Sequence, residues 1–301
     1  VMKALGGAVM RFGELVSANR TKLKIAITFY QIVEKIDDTY HVQYPSAVSF
    51  LMENFPFSLS GILKLLFGWM PIFQGVCLGL SSLQGRLIAW IVGPIAIALV
   101  PVIVMKLRGH SAVHVVHLIL FWSFLVYPTV VAMGFNAIGE CDCFENVAPG
   151  GDGTNRTCFL RADYNEECLL DSPLAPGHSA AGPGGVRPQV AIPAMIAIVL
   201  YGFGFPLAHL ALVLRDRDAI VNDKPLIGLS AKISFLHADY SKHVYWWEFV
   251  ESMKKLVLTG FLALIPAQDN LLRLFVAIVI AFIMLMLQVI VSPMNTRSDN
   301  L

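Results

Sequence analysis

Glu248, Glu251, Lys254 and Lys255 stand inside an otherwise apolar run, Tyr245-Trp246-Trp247-Glu248-Phe249-Val250-Glu251-Ser252-Met253-Lys254-Lys255. Ionisable side chains there are functional candidates, because burying them in lipid is costly unless they are paired or wet. Glu251 and Lys255 stand four apart on one helical face and can pair; Glu251 with Lys254 is the other option. Such groups could line a pathway or gate. The plainer reading is a structural ion pair near the inner leaflet, with the lysines reaching to headgroups. A second constellation is His110, His114 and His117, whose spacing of four then three places them on one helical face. They could bind a metal or sense protons, or simply be capped by neighbouring polar groups. A third is Cys141, Cys143, Cys158 and Cys168, four cysteines in one loop. Their pairing has three solutions that sequence cannot choose among. A metal site is the rival reading, but Cys141-Asp142-Cys143 is not zinc spacing and the loop's His178 lies far away in sequence.

The elements that carry these residues are membrane helices. The chain has 301 residues, 56% hydrophobic and 14% charged, with a mean hydropathy of +0.66. Soluble domains carry roughly 25% charged residues. Net charge is +1, which gives no case for nucleic acid. About 20 apolar residues cross the roughly 30 Å hydrocarbon layer. Five windows qualify: Leu87–Met105, Ala112–Phe135, Val190–Leu214, Tyr245–Ile265 and Leu271–Val291. Leu23–Ile36 is a shorter, dense sixth. Ile62–Leu80, with Lys64, Gly68, Pro71, Gln74 and Gly75, suits a re-entrant or interfacial segment within residues 46–85 better than a span. The fold class is therefore all-α, a polytopic bundle of about six transmembrane helices. Residues 1–20 form a cytosolic amphipathic segment, 21–134 carry the first three helices, 135–188 the outward loop, and 189–301 the last three with a cytosolic link at 215–243.

Orientation follows from Lys and Arg in the short loops. With both termini cytosolic, that side collects about 13 of them, Arg20, Lys22, Lys24 and Lys232 included, against about 6 outside. The outside set is Lys64, Arg86, Arg156, Arg161, Arg187 and Arg273. The cysteine loop then faces outward or into a lumen, where disulfides persist. Its sequon at Asn155 is a glycosylation candidate, while the sequon at Asn19 faces the cytosol and stays bare. Cys77 reads as a buried free thiol. Pro94, Pro101, Pro128 and the Gly204-Phe205-Pro206 stretch are hinge candidates. Pro266-Ala267-Gln268-Asp269-Asn270 reads as a tight hairpin without room for a re-entrant pore loop. There is no phosphate-binding glycine loop, zincin motif or nucleophile elbow, so no enzyme activity, metal or cofactor is expected. The chain begins Val1-Met2-Lys3, which suggests a segment of a longer polypeptide.

The motifs also occur in a familiar order. Lys24-Ile25-Ala26-Ile27-Thr28-Phe29-Tyr30-Gln31, Leu125-Val126-Tyr127-Pro128-Thr129, Cys143-Phe144 with Leu160-Arg161-Ala162-Asp163 and Cys168, Tyr201 to Pro206, and Tyr245-Trp246-Trp247-Glu248 follow one another. The set resembles the C-terminal multi-spanning region of large membrane proteins of algae, oomycetes and other protists. It covers about residues 22 to 293. The resemblance implies an upstream cysteine-rich ectodomain on the same polypeptide. It also implies a looser likeness to transient-receptor-potential-like and polycystin-like channels, from which the tight final hairpin departs. Two functions are carried forward. One is a channel-like or transport-like domain, related to sensory cation channels, with a wet path lined by Glu251, Lys254 and His117. The other is an anchoring subunit with no conduit. The partners expected are the lipid bilayer, the ectodomain and further copies or chains in a homo- or hetero-oligomer. The location expected is the plasma or ciliary membrane, or an endomembrane.

Overall fold

The computed structural model describes residues 20–33, 35, 45–46, 82–107, 116–145, 156–169, 185–222, 224–265 and 270–294. The candidates Cys77, His110, His114, Asn155, the segment Ile62–Leu80 and most of the hairpin at 266–269 lie outside these residues.

Among the described residues, four helices are long and apolar enough to cross a bilayer: Leu83–Leu107, Val116–Ala137, Pro188–Arg215 and Leu271–Val291. The chain is a helical membrane protein by this criterion. We name the elements α1 (Arg20–Val33), α2 (Leu83–Leu107), α3 (Val116–Ala137), β1 (Cys141–Glu145), β2 (Arg156–Leu160) and β3 (Asp163–Glu167). Then come α4 (Pro188–Ala197), a π-helical turn (Ile198–Gly204), α5 (Phe205–Arg215), α6 (Arg217–Val221) and α7 (Leu229–Lys232). The last are α8 (Trp247–Thr259), a 3₁₀ turn (Phe261–Leu264) and α9 (Asn270–Val291).

Burial sorts the long helices. Of the apolar window of α3, 67% is buried, against 11% for α2 and 6% for α9. So α3 is the central post and α2 and α9 are peripheral. Val126, Val130, Val131 and Phe135 of α3 pack with Leu87 and Ile91 of α2, Val190 and Ala194 of α4, and Leu256 of α8. Gly134 permits the α3–α4 approach: a Cβ there would meet Ile198 Cγ1 at 3.0 Å and the Ala194 carbonyl at 3.1 Å. Small residues let membrane helices close on each other in this way, where lipid supplies no hydrophobic drive.

The prolines act unequally. α2 continues through Pro94 and Pro101, and α3 through Pro128. Only Gly204–Pro206 coincides with a change of helix type. Pro206 has no N–H to give to Gly202, and the preceding turn widens so that the Phe205 N–H donates to the Leu200 carbonyl five residues back.

α8 is shorter than the sequence suggested, with 13 residues where Tyr245–Ile265 was expected, while α1 has 14, as many as Leu23–Ile36. At 1.5 Å per residue each is about 20 Å long, less than the hydrocarbon layer. α8 stops at Gly260, whose bare Cα faces the Phe135 ring, and the chain goes on as a 3₁₀ turn.

The cysteine loop corrects the all-α expectation. β1, β2 and β3 form a three-stranded antiparallel meander in which Cys143 stands opposite Cys158. A disulfide joins Cys141 to Cys168, and Cys158 is disulfide-bonded as well. The link at 215–243 is not a free loop. Ile233 and Leu236 pack under Ile27, Phe124 and Val213, and Ser241 N–H donates to the Pro293 carbonyl at 2.7 Å.

Candidate functional site

α8 is polar on its inner side. Glu248, Ser252, Lys255 and Thr259 recur at steps of four, three and four, which places them on one face, and all four are buried. An amphipathic helix in a soluble protein turns its polar face to water. Here that face is turned inward, as a chain surrounded by lipid requires.

The two charged groups on the stripe take side-chain partners from other elements, whereas the Thr259 hydroxyl donates to the Lys255 carbonyl of the same helix at 2.8 Å. Glu248 forms an ion pair with Lys24 of α1 and accepts a hydrogen bond from the Tyr240 hydroxyl at 2.9 Å. Lys24 lies 3.6 Å from Asp239, which accepts from the Thr21 hydroxyl at 2.9 Å. Lys255, 1% exposed, donates to Gln31 Oε1 at 3.1 Å and lies 3.8 Å from the Phe124 ring centroid. Gln31 in turn donates to the Leu125 carbonyl at 3.2 Å. The Tyr127 hydroxyl donates to the Ser252 carbonyl. Beside the stripe, the Ser123 hydroxyl and His209 Nε2 are 3.0 Å apart.

The sequence candidates divide accordingly. Glu251 pairs with Lys254 and accepts from the Trp247 indole at 3.2 Å, so the first-offered Glu251–Lys255 pairing is replaced by the second. The reason is rotational: Lys255 turns into the core with Glu248, whereas Lys254 stays half-buried beside Glu251. His117 is exposed on α3. Lys24, Gln31, Tyr127, Asp239 and His209 were missed as site residues. The readable signal was that Lys24 and Gln31 stand seven apart on α1 and so share a face. A cavity of about 210 Å³ opens at this end of the stripe, lined by Lys24, Glu248, Glu251, Lys254 and, from α9, Gln288.

A second polar centre sits at the sheet end. Arg161, in the β2–β3 turn, pairs with Glu140 at 2.6 Å and with Asp142 at 2.5 Å. The Asp142 hydrogen bonds hold the Arg161 guanidinium above its ordinary pKa, against partial burial, and also raise that of the Tyr164 hydroxyl. Arg273 of α9 is buried, lies 3.5 Å from Glu140 and donates to the Ile265 carbonyl. Arg86 pairs with Asp163, and Arg187 with Glu167 at 2.9 Å. Among the described residues no group of three or more His, Cys, Asp or Glu side chains is placed to hold a metal ion.

A bundle of long apolar helices, with the ion pairs of its described residues at its two ends and along one internal stripe, defines a helical integral membrane protein. Over 147 residues, 46% of the chain, it is 29% identical to cysteine repeat modular protein A of Toxoplasma gondii. The match covers 4% of that protein's length, so the chain corresponds to a small part of this relative. No family model and no solved structure matches the chain.

Proposed function

We propose that this chain is the membrane-embedded part of a larger protist protein and that it anchors that protein across the bilayer without catalysis. The observation that carries the reading is the closure of the α8 charges: Glu248 on Lys24 and Tyr240, Lys255 on Gln31, Glu251 on Lys254. A buried ionic group whose partners are all protein fixes how helices pack. In this reading α1 and α8 join the four long helices as a fifth and sixth crossing, their shortness accommodated by a thinned bilayer and snorkelling flanking residues. The sheet end faces outward, both termini face the cytosol, and Asn155 carries a glycan. α2 and α9 meet lipid or further copies of the chain. The membrane is the plasma or ciliary membrane, or an endomembrane.

Conduction is the second reading, favoured by a cavity at each end of the bundle, about 210 Å³ by the stripe and about 460 Å³ by the sheet. A flux assay on the full parent polypeptide in liposomes separates the two, with Glu251→Gln and Lys255→Met beside it. Absence of current under voltage, stretch, calcium and pH steps, from folded and inserted protein, supports anchoring. A cation current altered by either substitution replaces anchoring with a conduit.

A further inference from the structure

The larger cavity, about 460 Å³, lies where three membrane helices end. Leu83 opens α2, Ala137 closes α3, and Arg273 stands in the first turn of α9; all three line it. Such a position, at the ends of spans, is the depth of lipid headgroups if the helices cross as proposed above. Among the described residues, three guanidiniums, Arg86, Arg161 and Arg273, and one carboxylate, Glu140, line the space. The other carboxylates that hold these arginines, Asp142 and Asp163, belong to the sheet and are not in the lining. The cluster as a whole is balanced, so an anion here is held by directed guanidinium donors and not by net charge.

The arginines are also held in place. Arg273 is 3% exposed at its side chain and fixed by Glu140 and the Ile265 carbonyl, so it forms a floor. Arg86 and Arg161 are 44% and 34% exposed and form the rim. Leu83, Met133 and Ala263 supply an apolar wall beside them. Planar guanidiniums held on carboxylates retain further N–H donors and match the oxygen spacing of a phosphate group.

We propose that this cavity binds a phosphate-bearing anion, with a phospholipid headgroup or a free phosphate as its source. This rests on the membrane reading only for the lipid as source; the anion chemistry stands without it.

The test uses the whole chain purified in dodecyl maltoside, which carries no phosphate. Phosphatidic acid, diacylglycerol and inorganic phosphate are added separately, and binding is followed by native mass spectrometry and thermal shift. The expected result is saturable binding of phosphatidic acid over diacylglycerol, weakened about tenfold or more by Arg86→Gln, the size of losing one charge-assisted hydrogen bond. Asp163→Asn breaks the same Arg86–Asp163 pair but leaves the guanidinium, so binding should hold or tighten. Inorganic phosphate shifting stability as strongly as phosphatidic acid would identify a free anion as the source; phosphatidic acid alone would identify a lipid. Equal binding of diacylglycerol, no saturable binding of either phosphate compound, or the same weakening by Asp163→Asn as by Arg86→Gln would overturn the proposal.

Discussion

Glu248 and Lys24 show how a helical bundle tolerates buried charge. Both side chains are at most 8% exposed, and each neutralises the other. Removing one partner of a buried pair leaves an uncompensated charge, which costs about 3–5 kcal/mol, whereas replacing both by apolar groups is often near neutral. We therefore expect Lys24→Met to lower thermal stability in micelles strongly and Lys24→Met with Glu248→Leu to recover part of it, since Asp239 and the Tyr240 hydroxyl still lose a partner. If the double variant is as unstable as the single, the pair is not what holds α1 to α8. Tyr127→Phe removes only a neutral donor to the Ser252 carbonyl, so its cost should be smaller, about 0.5–1.5 kcal/mol. The charges themselves were visible in the sequence. Their partners were not, because Gln31 and Lys255 are 224 positions apart and nothing local joins them.

At the scale of elements, glycines distinguish packing from mere tolerance. A Cβ on Gly260 would stand 2.6 Å from the Phe135 ring and 2.8 Å from the Leu256 carbonyl, whereas one on Gly93 would meet nothing within 4 Å. Gly260→Ala should cost about 1–3 kcal/mol through overpacking. Gly93→Ala, in the middle of α2, should be neutral or stabilise by up to about 1 kcal/mol. Thermal melts of the two variants side by side check this, and similar behaviour would count against the tight α3–α8 contact. The Cys141–Cys168 bond closes the sheet onto its own end. Non-reducing peptide mapping should recover that linkage, and Cys141→Ser should cost about 2–4 kcal/mol. The span α2 was legible to within a few residues, because a long apolar run is itself the signal. The small sheet was not: β1 to β3 are five residues each, amid polar residues and glycines, and short strands leave too little periodicity to read.

For the whole molecule, the arginines that the loop-charge rule set on one side, Arg86, Arg161, Arg187 and Arg273, do gather at the sheet end. Lys24 and Lys254 gather at the other. In intact cells a membrane-impermeant maleimide should label Arg187→Cys at once and Lys232→Cys only after permeabilisation. A glycosidase-sensitive mass shift lost in Asn155→Gln should accompany it. Labelling of Lys232→Cys from outside would invert the assigned orientation.

Sequence alone determined that this is a helical membrane protein, where four of the five long apolar windows lie and which loop carries a disulfide, because hydropathy and cysteine count are local properties of the chain. Tertiary structure alone decided that Glu251 takes Lys254, that Lys255 reaches Gln31, that Cys141 takes Cys168, and that three arginines share one cavity. The lysine pairings depend on how each helix is rotated about its axis, which is set by the neighbours it packs against; the disulfide and the shared cavity depend on strand register and on where the helices end.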